Sequence, residues 1–343
     1  MRRKTTPLRK ALLLLPAAGY YGVQKLREKA YSLGLFKGEQ GPVPVVSVGN
    51  ILLGGSGKTP FVIFLAQRLA EMGLKPAVVS RGYRGRYHER YLVVSTGIPD
   101  HDASLPGPEV CGDEPFLMAR RLPGIPVIVG RRRIHPVRAA HDLFGCSVVV
   151  LDDGFQHLPL KRTVDVVLLN GMEDFMFPLG NLREPLSSLR RADAVVLVGE
   201  GTVPAAARPY LDEVPVFRCR QHPVGVHQGF SSSLSGPELF AGRDVMLASA
   251  IAHPARFRAA CEALQWRVTA HRTFPDHHAL ADADLEDLLK GTTRLPVVVT
   301  EKDWVKLPDP AKRTGRIWAL QIDMRMEDEA SFGDRLLELM DKR

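Results

Sequence analysis

Cysteine is scarce in this chain: Cys111, Cys146, Cys219 and Cys261 are the only four in 343 residues, and no two of them form a C-x-x-C pair. That excludes a disulfide framework and a thiolate zinc site, and it fits a reducing compartment. Long apolar runs are missing at the N-terminus. The uncharged stretch from Ala11 to Val23 is thirteen residues, interrupted by Pro16 and Gly19, and a bilayer-spanning helix needs about 20. No clear small-x-small cleavage site follows it, so a signal peptide is not expected. There is no internal repeat and no long low-complexity tract. The charge is unevenly placed. Residues 1–40 hold nine Lys and Arg against Glu28 and Glu39, which accounts for about seven of the formal net charge of +8. The basic character therefore belongs to the N-terminus, which excludes a nucleic-acid-binding surface spread over the fold.

What is present is ordinary for a globular protein with a substantial core: 45% hydrophobic and 24% charged residues, at a length that suits two domains. From Val43 to Val198, strand-like runs alternate with helical stretches. The strands are expected at Val43–Val48, Ala77–Ser80, Pro126–Gly130, Ser147–Leu151, Val164–Asn170 and Ala194–Val198, with helices at Phe61–Met72 and Glu114–Arg121. This alternation predicts an α/β fold: a mostly parallel sheet flanked by helices. Residues 201–240 are rich in Pro, Gly and Ser. A second αβ stretch follows, with strands Asp244–Ser249, Arg267–Ala270 and Pro296–Thr300 and helices Pro254–Leu264 and Asp282–Lys290. The expected division is a basic amphipathic segment at 1–40, a larger α/β domain at 41–225 and a smaller α/β domain at 226–343. In the first segment Leu8, Leu12 and Leu15 share one helical face. Beyond Pro16, Val23, Leu26, Ala30 and Leu33 share another. A basic amphipathic segment of this kind lies on an anionic leaflet or packs on its own domain; the membrane surface is the favoured reading.

The most informative motif runs from Val45 to Pro60. A β-branched strand ends at Asn50, and a loop carrying Gly54, Gly55, Ser56 and Gly57 leads into Lys58, Thr59, Pro60 and an apolar helix. Glycines let backbone N–H groups approach phosphates, the lysine reaches the outer ones, and the threonine hydroxyl can ligate Mg²⁺. Pro60 suits a first helical turn. The usual G-x-x-x-x-G-K-[ST] pattern would place its first glycine at position 52, where this chain has Leu52. A ligand-free glycine turn is the bland alternative.

The strand Cys146–Leu151 ends in Asp152 and Asp153, and acids beside a phosphate loop are how many nucleotide enzymes hold Mg²⁺. Asp113 opens a helix, either as its N-cap or as a base for an attacking hydroxyl. His277 and His278 lack metal-ligand spacing; a histidine here is a surface residue or the partner of a catalytic carboxylate. Asn181, Arg183 and Glu184 sit in one short loop suited to sugar or phosphate contacts. Arg133, in a run of three arginines after a strand, either presents a cation to a moving phosphoryl group or is part of a solvated turn. In open α/β sheets ligands gather beyond the carboxyl ends of strands, so the Lys58 loop, Arg81-Gly82-Tyr83 and Asp152-Asp153 are expected at one edge.

Together these stretches resemble the tetraacyldisaccharide 4′-kinase family of lipid A biosynthesis. The resemblance rests on Ser47-Val48-Gly49-Asn50 leading to Gly54-Gly55-Ser56-Gly57-Lys58-Thr59-Pro60, on Ser80-Arg81-Gly82-Tyr83 and Gly112-Asp113-Glu114-Pro115, and on Asp152-Asp153-Gly154-Phe155-Gln156-His157. Asn181-Leu182-Arg183-Glu184-Pro185, Phe274-Pro275-Asp276-His277 and Thr300-Glu301-Lys302-Asp303 complete it. Leu52 looks like the family's own version of the loop; at position 250 the family tends to have glycine and this chain has Ala250. The resemblance implies a P-loop NTPase-like fold with the kinase domain at 41–225, ATP and Mg²⁺ as cofactors, and transfer of the γ-phosphate to the 4′-hydroxyl of a tetraacylated glucosamine disaccharide 1-phosphate. It implies Asp113 paired with His277 as the base, and Lys58 and Arg133 stabilising the moving charge. Thr59 and Asp153 would organise Mg²⁺, supported by Asp152 and Glu184, while Asn50, Arg81, Tyr83, Asn181 and Arg183 would bound the sugar-phosphate side. It also implies a peripheral or monotopic place on the cytoplasmic face of the inner membrane and no obligatory protein partner. A membrane-bound switch NTPase and a soluble-sugar kinase are the competing readings.

Overall fold

The computed structural model describes residues 7–55, 57–98, 106–170, 175–230, 233–276, 278, 280, 282–290, 295–308, 312 and 314–342. The chain packs as two compact units, each assembled from separated stretches. Unit 1 comprises Met1–Val79, Arg132–Arg220 and Arg325–Arg343; unit 2 comprises Ser80–Arg131 and Gln221–Met324.

In unit 1 the strands, numbered in chain order, are β1 (Val45–Asn50), β2 (Pro76–Ser80), β5 (Val148–Asp152), β6 (Val164–Leu169), β7 (Ala194–Val198) and the first part of β8 (Val216–His227). Their order is β8-β7-β6-β1-β5-β2, and every neighbour pair is parallel, with Val46 of β1 opposite both Val150 and Val164. A parallel sheet is covered on both faces, so its strands read as continuous β-branched runs; β1, β5 and β6 are buried along their whole length. Helices α2 (Lys58–Glu71) and α5 (Ile134–Phe144) supply apolar faces. The C-terminal helix Glu329–Asp341, capped by Asp328, inserts Phe332 edge-on to Phe61 and Phe217.

Helix α1 (Pro7–Ser32) runs through Pro16 without a break. Two separate faces were expected there. Because the helix is continuous, exposed Leu12, Leu15, Val23 and Leu26 fall instead on one stripe. The other side is tied down: Tyr20 Oη donates to Arg183 O (3.1 Å), Arg27 Nη2 to Gln156 O (3.0 Å), and Glu28 pairs with Arg191 (3.1 Å). No helix among the described residues is long and apolar enough to cross a membrane.

Unit 2 contains an antiparallel pair, β3 (Leu92–Ser95) with β4 (Val127–Val129), and short helices α3 (Pro108–Cys111) and α4 (Asp113–Arg121). Its parallel strands are β9 (Asp244–Ser249), β10 (Arg267–Thr273), β11 (Val297–Thr300) and β12 (Ile317–Met326), ordered β10-β9-β11-β12. Helices α6 (Pro254–Ala263), α7 (Asp282–Lys290) and α8 (Glu301–Trp304) accompany them. A buried ion pair explains why Ser80–Arg131 belongs with the later stretch: Arg121 of α4 reaches Glu301 of α8 (2.6 Å) and Asp323 of β12. All four cysteines are buried and free, and burial pushes the thiols of Cys111, Cys219 and Cys261 up to about 12 and that of Cys146 to about 11. They are inert at neutral pH.

Candidate active site

Unit 1 builds a phosphate loop at the carboxyl end of β1. After Asn50 the chain turns inward: Leu52 is buried with Ile51, Phe155, Leu182 and Leu189 and bridges Leu182. Leu53 N donates to Asn181 O (2.7 Å) and Arg183 N to Ile51 O (2.9 Å). The loop is thus pinned to Asn181-Leu182-Arg183, which explains a leucine where the common pattern has glycine. Gly54 and Gly57 adopt φ of +97° and +81°, values that favour glycine. Lys58 and Thr59 then open α2, and Pro60 sits in its first turn, where no N–H is needed. Ser56 lies outside the described residues.

The charges converge on Asp153 and Asn50. Lys58 Nζ stands 3.4 Å from Asp153 Oδ1 and 3.3 Å from Asn50 Oδ1. Arg183 Nη1 donates to Asp153 Oδ2 (3.1 Å), and its Nη2 bonds both Asp153 Oδ1 and Asn50 Oδ1. Gln156 Nε2 holds Asn50 O (2.8 Å); this glutamine lies in the Asp-Asp-Gly-Phe-Gln-His run, but only its contact reveals its use. Asp153 is brought here by a tight turn, with its own φ at +51°. A Cβ on Gly154 would lie 2.7 Å from Ser47 Oγ, and one on Gly49 only 2.4 Å from Phe155 Cβ. Burial would raise the Asp153 carboxyl, but the Lys58 charge and the Arg183 bonds outweigh it and hold it well below the usual carboxylate range. Asn50 is fully buried, and its Nδ2 has no hydrogen-bond partner among the described residues. A buried amide donor at a phosphate loop is suited to an acceptor oxygen.

The remaining residues of this unit are placed as follows. Asp152 is buried at the end of β5, in register with Val48. Arg133 is buried at the residue that caps α5. Asn181 is exposed. Glu184 is buried with its carboxylate bonded to Arg191; burial raises it, and Arg191 only partly compensates. Arg191 in turn covers the Phe155 ring at 4.3 Å.

Unit 2 gathers a second cluster. Asp113 is the first residue of α4, and the cap is Gly112 (φ +98°), without a side-chain capping bond. The N-cap alternative for Asp113 therefore does not hold. Its Oδ1 accepts the Glu114 N–H (3.1 Å) and the residue is buried. A Cβ on Gly112 would lie 2.8 Å from Tyr83 O, so the Arg81-Gly82-Tyr83 turn packs against this helix start. Tyr87 Oη fixes that turn through Arg81 O (2.6 Å), leaving the Arg81 and Tyr83 side chains exposed. Lys302 donates to Glu114 (2.8 Å). Burial would lower its ammonium, but Glu114, Asp113 and Asp276 together raise it above the ordinary 10.5. Neighbouring Asp303 ties the motif to the fold: its Oδ2 accepts from Ala250 N (3.2 Å) and Thr300 Oγ1 (2.7 Å), and its Oδ1 pairs with the Lys306 ammonium (2.9 Å). Ala250 does not need a positive φ, so alanine is accommodated there. His277 lies outside the described residues. His278 bonds Asp284 (2.9 Å) and stacks on Phe274 at 5.2 Å.

Unit 1 thus offers cations, a glycine-rich helix entrance and hard oxygen ligands, which suit a polyphosphate with a divalent metal. Unit 2 offers a buried carboxylate beside an ammonium, which suits accepting a proton. The comparisons agree with that chemistry. The family model described as tetraacyldisaccharide-1-P 4′-kinase matches residues 10–341. A tetraacyldisaccharide 4′-kinase of Syntrophus aciditrophicus is 37% identical, covering 96% of this chain and 93% of its own. One from Alkalilimnicola ehrlichii is 40% identical over 91% and 87%. The crystal structure of the "apo" form of LpxK from Aquifex aeolicus in complex with ATP superposes with a TM-score of 0.79 at 29% identity, covering 96% of this chain and 99% of that one. The chain belongs to the tetraacyldisaccharide-1-P 4′-kinase family, phosphotransferases with an alcohol acceptor.

Proposed function

We propose that this protein transfers the γ-phosphate of ATP to the 4′-hydroxyl of a tetraacylated glucosamine disaccharide 1-phosphate, working on the cytoplasmic face of the inner membrane. The observation that carries the reading is the Lys58–Asp153–Arg183–Asn50 cluster on a glycine-rich loop. Lys58 and Arg133 stabilise charge on the transferring group. The Asn50 amide and the Arg183 guanidinium, with Arg81, Tyr83 and Asn181, bound the phosphate and sugar side. Asp113 accepts the acceptor hydroxyl's proton; Lys302, raised by Glu114, Asp113 and Asp276, places a cation beside it. His277 as its partner is carried by the family resemblance.

Mg²⁺ fits the residues present: Thr59 offers a hydroxyl and Asp152 and Asp153 offer carboxylates, all hard oxygen ligands, and Asp153 is already held ionised. When bound, the metal neutralises charge on the phosphate oxygens. Glu184, bonded to Arg191, is better suited to holding the Phe155 turn than to ligating the metal. The membrane placement is supported by the single apolar stripe of α1 with Lys25 and Lys29 on the same helix.

The test is transfer of labelled γ-phosphate from ATP to tetraacyldisaccharide 1-phosphate in mixed micelles, beside Lys58→Ala. Labelled lipid with wild type alone is expected. ATP turnover with unlabelled lipid would overturn the acceptor and favour the switch-NTPase reading.

A further inference from the structure

A pocket of about 1140 Å³ opens in unit 1 where the end of α1 meets the turns before β1 and β6. Its charge is one-sided: Lys25, Lys29, Lys37, Lys161, Arg162 and Arg191 line it, against Glu28 and Asp165. The two carboxylates are already used, Asp165 by Arg162 (2.8 Å) and Glu28 by Lys25 (2.9 Å) and Arg191 (3.1 Å). Among the described residues Lys29, Lys37 and Lys161 have no side-chain hydrogen bond or ion pair. They are nevertheless held on a fixed frame. Glu39 N donates to Pro159 O (2.7 Å) and Lys161 N to Glu39 O (2.9 Å), which sets the Lys37 turn beside Lys161. A Cβ at Gly38 would lie 3.1 Å from Leu158 O and 3.2 Å from Lys161 Cγ, so the chain approaches closely here.

This pocket is not the phosphate loop. It lies at the amino ends of β1 and β6, where Thr163 Oγ1 accepts Val45 N (3.0 Å), while Lys58 follows the carboxyl end of β1. Six residues at about 3.3 Å each separate the two ends by roughly 17–20 Å. Phe36 lines the pocket, and Leu33, Leu35 and Phe36 are 65%, 73% and 56% exposed. Exposed cations, Lys29, Lys37 and Lys161, next to bare hydrocarbon match an amphiphile rather than a free ion.

We infer that this pocket is an accessory site for the phosphodiester headgroup of an anionic phospholipid, whose acyl chains leave over Leu33, Leu35 and Phe36. It rests on the membrane-surface placement proposed above but not on the identity of the acceptor. The site fixes which face of the protein meets the leaflet, using a lipid that is not turned over.

The experiment is flotation of the full-length protein with vesicles of phosphatidylcholine alone or mixed with phosphatidylglycerol, at constant ionic strength. Lys29→Gln/Lys37→Gln/Lys161→Gln is compared with a charge-matched control, Lys75→Gln/Lys290→Gln/Lys342→Gln, and with Lys29→Arg/Lys37→Arg/Lys161→Arg. Wild type, the control and the arginine variant are expected to prefer phosphatidylglycerol vesicles, and the pocket glutamine variant to lose on the order of 10²-fold in that preference while still binding phosphatidylcholine. Survival of binding in the arginine variant shows that the frame tolerates substitution. Equal losses in pocket and control variants, or no loss in the pocket variant, would overturn the site while leaving the membrane placement standing. Displacement by inorganic phosphate at constant ionic strength would overturn the lipid in favour of a free anion. Failure of wild type to bind any vesicle would overturn the placement and the site together.

Discussion

The phosphate-loop cluster of unit 1 and the Asp113 cluster of unit 2 use the same charged groups in opposite proportion. In unit 1 two cations, Lys58 and Arg183, share one carboxylate, Asp153. In unit 2 three carboxylates, Glu114, Asp113 and Asp276, act on one ammonium, Lys302. A cluster with surplus positive charge is prepared for an anionic ligand. One with surplus carboxylate keeps a base available and cannot itself hold a phosphate. A phosphoryl transfer to an alcohol needs both kinds of environment, and each is made by local ion pairing rather than by net charge.

The sharpest way to break that contrast is to remove the unit 1 surplus. Lys58→Ala is expected to lower kcat/KM by about 10³-fold or more, because the group lost acts where charge develops. The same variant tests the electrostatics without catalysis. Asp153 is depressed below its ordinary 3.8 in the fold, so its pairing contributes stability above that pH and loses it as pH falls through the lower folded value. Lys58→Ala should therefore show a flatter decline in Tm on acidification below about pH 4. A wild-type acid profile would remove Lys58 from the cause.

Next in size is the effect expected at Asp113, the base proposed for unit 2. Asp113→Asn is expected to cost about 10²–10⁴-fold in kcat with little change in ATP KM. A loss confined to ATP KM would show that Asp113 serves binding and that the two clusters do not divide the work. Lys302→Met should cost less, about tenfold, and move the acid limb of the pH–rate profile upward, since a carboxylate without its cation holds a proton more readily. In wild type Lys302 is raised above 10.5. Its pairing therefore stabilises the fold fully below that pH and is lost only as pH climbs through the higher folded value. An unmoved acid limb in Lys302→Met would leave Lys302 a purely structural residue.

How much of this was legible depended on whether the signal was local. Ala194–Val198, Asp244–Ser249 and Asp282–Lys290 match the expected elements to the residue, because burial on a parallel sheet or an amphipathic helix writes itself into consecutive residues. Strand β8 runs through the Pro/Gly/Ser-rich stretch; its Phe217-Arg218-Cys219-Arg220-Gln221-His222 segment is half exposed and carries no continuous apolar run. β3, β12 and the C-terminal helix were also not anticipated. In the site, Gly57-Lys58-Thr59 and Asp152-Asp153 stood out as local patterns. The links Leu53–Asn181, Lys58–Asp153 and Lys302–Glu114 join residues about 95–190 positions apart in the chain, and no local pattern announces such contacts. The same holds for the membership of residues 80–131 with residues 221–324.

Leu52 joins the local and the distant signal, and it gives the smallest expected effect on chemistry. Read alone, it is a defect in a phosphate-loop pattern; in the fold the residue is 6% exposed, its backbone forms a β-bridge with Leu182, and its side chain is buried in the cluster that holds Ile51, Phe155 and Leu182. Leu52→Gly would restore the common spacing and should still harm the protein. Losing a buried leucine costs about 2–5 kcal/mol, and glycine adds roughly 0.5–1 kcal/mol of backbone entropy. ATP KM should change only a few-fold, because the ligand-facing part of the loop, Gly54 to Thr59, is untouched. Denaturant unfolding beside steady-state kinetics separates the two. If Leu52→Gly left stability intact and tightened ATP binding, the leucine would be an impaired phosphate contact rather than the anchor that holds the unit 1 cluster in register.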